Sequence, residues 1–272
     1  MEIQNFKLKI ADNVEQLNCK KNTVKFSQGQ PDTIIIHYTA GRNAESSARY
    51  LCNDDVKASA HVVIGRDGKI IQLVPFDTIA WHAGKSYYEG RVGFNKYSVG
   101  IELDNAGILD KAGNEYLSWF GKKYHADEVI QAIHPNENKE KFWHIFTEKQ
   151  IQACEDLCTL LLKDYKTIKN ILGHEEIAPG RKQDPGPAFP LKKIRELLLQ
   201  ERDSDESIYE NLDAKVEASL LNIRELPDAN SKTINEPLKK GTKLKILQKH
   251  KGWYKVKTEI EGWVASEYVS FE

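Results

Sequence analysis

One proline-rich stretch, GHEEIAPGRKQDPGPAF from Gly173 to Phe189, carries His174, Lys182 and Asp184 close together. Imidazole and carboxylate are donors that zinc accepts, and a catalytic zinc site takes three of them and keeps its fourth position open. Lys182 and Asp184 are one residue apart, so in an extended segment both side chains leave on the same face. Pro185 favours that geometry, because the residue before a proline is biased toward β or polyproline backbone. Pro179, Pro185 and Pro187 restrict the rest of the stretch. It offers two donors, His174 and Asp184, and a third must come from elsewhere. The helical metalloprotease signature is absent, since Ala178 stands where its second histidine belongs. On composition alone the stretch reads equally as a polar surface connection.

His37 is the best-placed third donor. It follows Ile34, Ile35 and Ile36, a run suited to a strand buried on both faces. A ligand at the end of such a strand is held rigidly at the sheet edge, where α/β active sites form. A structural histidine in that place would look the same. Glu102 adds a carboxylate. In SVGIELDN, Val99, Ile101 and Leu103 alternate with Gly100, Glu102 and Asp104, which puts Glu102 on the face away from the apolar residues. There it is either a general base beside a metal or a solvent-facing acid.

The elements that must position these groups follow from periodicity. AHVVIGRDGKIIQLV reads as two strands joined by a turn at Arg66-Asp67-Gly68. ESSARYLCND, TEKQIQACEDLCTLLLKDY and PLKKIRELLLQ carry apolar residues at helical spacing. Strands interleaved with helices predict an α/β fold, a mixed central β-sheet flanked by helices. Between Asn105 and Phe146 the pattern weakens, as in an excursion from the core. Residues 201–213 are acidic and lack an apolar period, which marks a linker. After it, short β-type runs with Gly252-Trp253 and Gly262-Trp263 predict a small all-β barrel over 214–272.

The 272 residues carry a formal net charge of -1, so no global field favours nucleic acid or an anionic membrane. Cys154 and Cys158 read as buried thiols on one helical face. Cys19 and Cys52 read as reduced too, with a disulfide between them left open. No stretch approaches the roughly 18 apolar residues of a membrane span. The polar N-terminal run MEIQNFKLKIADNVEQL is unlike a secretory signal. A cytoplasmic location is therefore expected, with holin-dependent release as a prophage lysin as the other route.

IIIHYTAG, SAHVVIGRDGKIIQLVP, AWHAG, NKYSVGIEL and GHEEIAPGRKQDPGPAF together resemble the successive blocks of the type 2 N-acetylmuramoyl-L-alanine amidases, zinc enzymes related to peptidoglycan-recognition proteins and phage amidases. The resemblance spans about Thr33 to Leu198 and implies an amidase domain over 1–200, with an insertion at about 105–146. It implies Zn2+ held by His37, His174 and Asp184, with Glu102 as acid/base and Lys182 polarising the carbonyl. His61, Trp81 and His82 match positions lining the substrate cleft, Arg91 and Asn95 precede the Glu102 strand where the family's cleft loop runs, and all five are expected as substrate contacts. The implied partner is peptidoglycan or a muropeptide. The tail resembles bacterial SH3-like domains that accompany wall hydrolases. The insertion is longer than the family's usual connection, and could cover the cleft, enlarge it or mediate self-association. The oligomeric state is left open. The alternative is a recognition module that grips muropeptides without cutting them. The full set of five functional residues counts against it.

Overall fold

The structure, a computed structural model, describes residues 1–200, 212–250, 252–258 and 261–271. Of the expected linker, residues 201–211 lie outside the described residues. The chain divides into two compact units, Met1–Leu191 and Lys192–Glu272.

The first unit is built on β1 (Val14–Gln16), β2 (Thr33–Tyr38), α1 (Ala44–Cys52), β3 (Val62–Ile64), β4 (Ile70–Gln72) and β5 (Ser98–Leu103). An intervening set follows, β6 (Ile108–Ala112), β7 (Glu115–Leu117), β8 (Lys123–Tyr124), β9 (Val129–Ile133) and β10 (Glu140–His144). Then come α2 (Glu148–Asp164), β11 (Asn170–Gly173) and the single turn α3 (His174–Ile177). The central sheet has the order β11-β2-β5-β3-β4-β1. It is mixed, as expected: β3 and β4 are antiparallel and the other pairings are parallel. Parallel strands at the centre need cover on both faces, and Ile34, Ile35, Ile36, Val99 and Ile101 are wholly buried.

Register sets the positions that matter. On β2 and β5, His37 lies opposite Glu102, and on the far side of β5, Val63 lies opposite the same residue. Glu102 is thus held between two strands near the carboxyl ends of a parallel pair. Two capped helices flank the sheet. The Asn43 side chain accepts the Ser46 N–H at the start of α1 (2.8 Å), and Thr147 forms a capping box with Gln150 at the start of α2. The Gln150 amide donates to the Asp104 carbonyl (2.8 Å), tying α2 to the end of β5. Cys154 and Cys158 are free and buried, as expected, whereas Cys19 and Cys52 are joined as a disulfide that closes the chain before α1 onto its last residue.

Residues 105–146 are more regular than their sequence suggests. They form a five-stranded antiparallel sheet in the order β8-β7-β6-β10-β9. The strands are only two to five residues long and mostly half-exposed, so no sustained alternation is written into them. A small cluster of Ala106, Leu109 and Tyr124 packs with Tyr116, Phe120, Val129 and Phe142. At one end, the 75% exposed Trp119 donates its Nε1–H to the Ala40 carbonyl just beyond β2 (2.8 Å).

From its second residue on, α4 (Leu191–Gln200) falls in the second unit, whereas the sequence places it in the first domain. From within that helix Lys193 Nζ donates to the Val269 carbonyl of the second unit (2.9 Å). Strands β12 (Asp213–Val216), β13 (Lys243–His250), β14 (Trp253–Lys257), β15 (Glu261–Ala265) and β16 (Val269–Phe271) form an antiparallel sheet ordered β15-β14-β13-β12-β16. Val216, Ile223, Ile246, Val256 and Val264 are fully buried at its core. Among the described residues no helix is long and apolar enough to cross a membrane.

Candidate metal centre

The three donors named from sequence come together. His37 Nδ1 lies 2.9 Å from His174 Nδ1 and 2.9 Å from Asp184 Oδ2, and the last two are 2.8 Å apart. All three side chains are buried. His37 ends the buried run of β2, and His174 begins the turn that follows its parallel neighbour β11. Asp184 is brought back to them by the loop, where the Glu175 N–H donates to the Asp184 carbonyl (2.9 Å).

Their tautomers follow from their outer partners. His82 Nε2 faces two acceptors, the Ser98 carbonyl (3.2 Å) and the Ser98 hydroxyl oxygen (3.3 Å), whose own proton goes to Phe94. That nitrogen therefore carries the hydrogen, and His82 Nδ1 accepts from His37 Nε2–H (2.9 Å). His37 Nδ1 is left with a bare lone pair. His174 Nε2–H donates to the Ala83 carbonyl (3.1 Å), which likewise leaves its Nδ1 bare. Two imidazole lone pairs and a carboxylate oxygen then converge with no proton among them, and a cation is what such a convergence accommodates.

Electrostatics agree. Burial, helped by the neighbouring His174, lowers the His37 pKa to about 4, so it is neutral at pH 7, as a metal ligand must be. Burial alone would raise Asp184; hydrogen bonds and charge from protonated His174 and His37 would hold the carboxyl well below its ordinary range, and with both Nδ1 atoms bare that part falls to a cation. Among the described residues this is the one His/Cys/Asp/Glu trio placed to share an ion. The donor set suits zinc.

Glu102 stands beside the trio. Burial and the nearby Asp184 raise its pKa to about 8, against the pull of Lys182. As a residue it is partly exposed, yet its Oε2 is sealed from solvent and has no hydrogen-bond partner. An orphaned buried carboxylate oxygen is costly and marks a group kept for another purpose than packing. Lys182 is partly buried, its backbone N–H is held by the Ala178 carbonyl (3.0 Å), and its ammonium acts on both His37 and Glu102.

The five expected substrate contacts fare differently. His61 is wholly buried with both ring nitrogens engaged: Nε2–H donates to the Thr78 carbonyl (2.9 Å) and Nδ1 accepts the Gly100 N–H (2.9 Å). It stitches the sheet and has nothing left for a ligand. His82 is also fully engaged and orients His37. Asn95 Oδ1 accepts the Ala83 N–H (2.7 Å), which fixes the carbonyl that His174 needs. Arg91 is committed to Asp32 (2.6 Å) and lies over the Phe94 and Tyr97 rings. Trp81, at 38% exposure, is the most exposed of the five. The segment 81–83 is thus a scaffold for two ligands, with the His82 ring and both backbone groups of Ala83 already paired. Sequence reasoning missed Arg181, whose Nη2 donates to the Ala83 and Lys85 carbonyls (2.8 and 2.6 Å) and closes that scaffold. Nothing but its place next to Lys182 could have suggested it.

Three bare donors on a rigid sheet edge, with a free carboxylate next to them and no fourth protein ligand among the described residues, have the form of a catalytic rather than a structural metal centre. Residues 27–187 match the N-acetylmuramoyl-L-alanine amidase family, and residues 219–270 match the bacterial SH3 domain. The chain therefore belongs to the N-acetylmuramoyl-L-alanine amidase family, with a bacterial SH3 domain following. It is 36% identical over 147 residues to the 1,6-anhydro-N-acetylmuramyl-L-alanine amidase AmpD of Escherichia coli K12, covering 54% of this chain and 61% of that one. It is 33% identical over 169 residues to the N-acetylmuramoyl-L-alanine amidase AmiD of the same strain, covering 59% of this chain and 51% of that one. The chain thus spans about three fifths and one half of the lengths of these two relatives. The crystal structure of a selenomethionine AmpD derivative superposes with a TM-score of 0.50 at 26% identity, covering 70% of this chain and 94% of that one.

Proposed function

We propose that this chain is a zinc-dependent amidase that hydrolyses the bond between N-acetylmuramic acid and the L-alanine of the stem peptide. The observation that carries it is the convergence of two bare imidazole nitrogens and one carboxylate oxygen within 2.9 Å, attended by the unpartnered Glu102 Oε2. Amides resist hydrolysis because resonance stabilises the carbonyl and an amine leaves poorly. Bound zinc supplies Lewis acidity, polarising a carbonyl and lowering the pKa of a water toward about 7. Glu102 takes the proton of the attacking water at Oε2 and returns it to the departing nitrogen. Its carboxyl, at about 8 without a cation beside it, titrates lower next to one and becomes the base at neutral pH. Lys182 Nζ donates to the carbonyl oxygen as negative charge builds there. His82 and Ala83 keep both imidazoles in their ligating tautomers throughout.

The relatives named as anhydro-muropeptide amidases favour soluble fragments as substrate. The SH3 domain favours polymeric wall. The Cys19–Cys52 disulfide weighs with the wall, and against the cytoplasmic expectation, because such bonds persist in oxidising compartments. The deciding experiment is mass spectrometry of products from sacculi and from soluble anhydro-muropeptides, each with and without chelator. Chelator-sensitive release of stem peptide supports the amidase and identifies its substrate. Cleavage of neither, with zinc confirmed in the protein, leaves a recognition module.

A further inference from the structure

The antiparallel sheet of residues 105–146 reaches the metal centre from behind, through a buried pair that the reaction does not use. Glu175 follows the ligand His174 and is 6% exposed, and His134, in the turn after β9, is 1% exposed. A carboxylate so buried is tolerated only when its oxygens are satisfied. His134 Nε2–H donates to Glu175 Oε2 (2.8 Å), and the Gly186 N–H donates to the same oxygen (3.0 Å). His134 is locked in that tautomer, since its Nδ1 accepts the Asn136 N–H (3.1 Å). Asn136 Nδ2 then donates to the Glu175 carbonyl (3.1 Å).

These bonds bear on both loop-borne ligands together. Glu175 neighbours His174, its N–H holds the Asp184 carbonyl (2.9 Å), and its carboxylate holds Gly186, two residues beyond Asp184. One residue, through its backbone N–H and its carboxylate, therefore closes the loop across its two ligating ends. His134 lies nearly flat on the Trp143 ring of β10, with centroids 5.7 Å apart and planes at 24°. A side chain on Gly186 would meet that same ring 2.9 Å away. Gln183 donates to Glu137 of the same turn.

We propose that His134 and Glu175 are positioning residues, and that the inserted sheet is a brace setting the spacing of His174 and Asp184. This rests on the metal role of that trio, but not on which amide is cut. The brace acts through ligand geometry, so it should be read in metal binding before turnover.

The test is zinc competition against a chelator, together with the visible absorption spectrum of the cobalt-substituted protein, for wild type, His134→Phe, His134→Gln and Glu175→Ala. His134→Phe keeps a ring against Trp143 and removes the donor. It should weaken zinc binding about 10- to 100-fold, as loss of outer partners does, and shift the cobalt spectrum. Glu175→Ala should do the same, and the double variant should be little worse than either single one. His134→Gln, which can still donate to Glu175, should recover binding to within about threefold of wild type. A folded His134→Phe with wild-type affinity and spectrum overturns the brace. Should that variant fail to fold, Asn136→Ala carries the test, and an unchanged affinity there overturns it equally. Wild type that binds zinc but cleaves nothing refutes the amidase and leaves the brace standing. Wild type that binds no zinc refutes both.

Discussion

Gly100 is where the smallest perturbation should reach the metal. It sits on β5, wholly surrounded by the sheet, and the His82 ring lies against it. A Cβ at that position would fall 2.4 Å from His82 Cγ, 2.6 Å from Nδ1 and 2.7 Å from Cδ2. Ordinary contact begins about 1 Å further out, so the ring in Gly100→Ala must move by roughly that much. It cannot do so freely, because its Nδ1 takes the His37 proton at 2.9 Å and its Nε2 serves Ser98 at 3.2 Å. A shift of about 1 Å carries the first bond past hydrogen-bond range. His37 then loses the partner that keeps its ligating nitrogen bare. The expected loss is about 10- to 100-fold in metal affinity, or about 1.4–2.7 kcal/mol. Overpacking should also cost the fold about 1–3 kcal/mol.

Two assays separate these effects: chelator competition for zinc, and denaturation of the metal-free protein. Adding His82→Ala to Gly100→Ala removes the ring and the clash, so the fold should recover while metal affinity stays low. If Gly100→Ala binds zinc as wild type does and is equally stable, the His82 ring does not lie against the sheet, and the tautomer assignment for His37 falls with it.

Glu102→Gln should reduce turnover by at least about a hundredfold while zinc stays bound by chelator titration, since the proposed role of Glu102 is acid/base and not ligand. The same variant should alter stability with pH. The folded pKa of about 8 is raised from 4.5, so the stabilisation is full below 4.5 and is lost as pH rises through 8. Metal-free wild type should therefore weaken against Glu102→Gln between pH 5 and 8.5, on the order of 2 kcal/mol after screening, in denaturant titrations. Lys182→Ala should lower kcat about a hundredfold or more, roughly 3 kcal/mol, with metal affinity intact. Arg91→Ala should leave KM within about twofold, because its guanidinium is spent on Asp32. A large rise in KM with an unchanged fold would restore Arg91 as a substrate contact.

What could be read along the chain is what local chemistry dictates. Three isoleucines before His37, alternation from Val99 to Asp104, and helical spacing around Cys154 each declare an element through a period of 2 or 3.6. The proline loop declares itself by composition, and the metal trio by donor type and by resemblance. The sheet of residues 105–146 stayed hidden because its strands are too short and too exposed to carry a period.

The tasks of the histidines were not legible at all. His61, His82 and His134 are the same residue type, yet one stitches the sheet, one orients a ligand and one braces the ligand loop. Each task is set by which atom faces each ring nitrogen. Apart from Asn136, two residues beyond His134, those atoms come from residues 16 to 45 positions away in the chain. Periodicity reports only neighbours along the backbone, so the sequence could name the ligands. Only the packing of β2, β5 and the 81–83 segment decided which nitrogens are left bare for the metal.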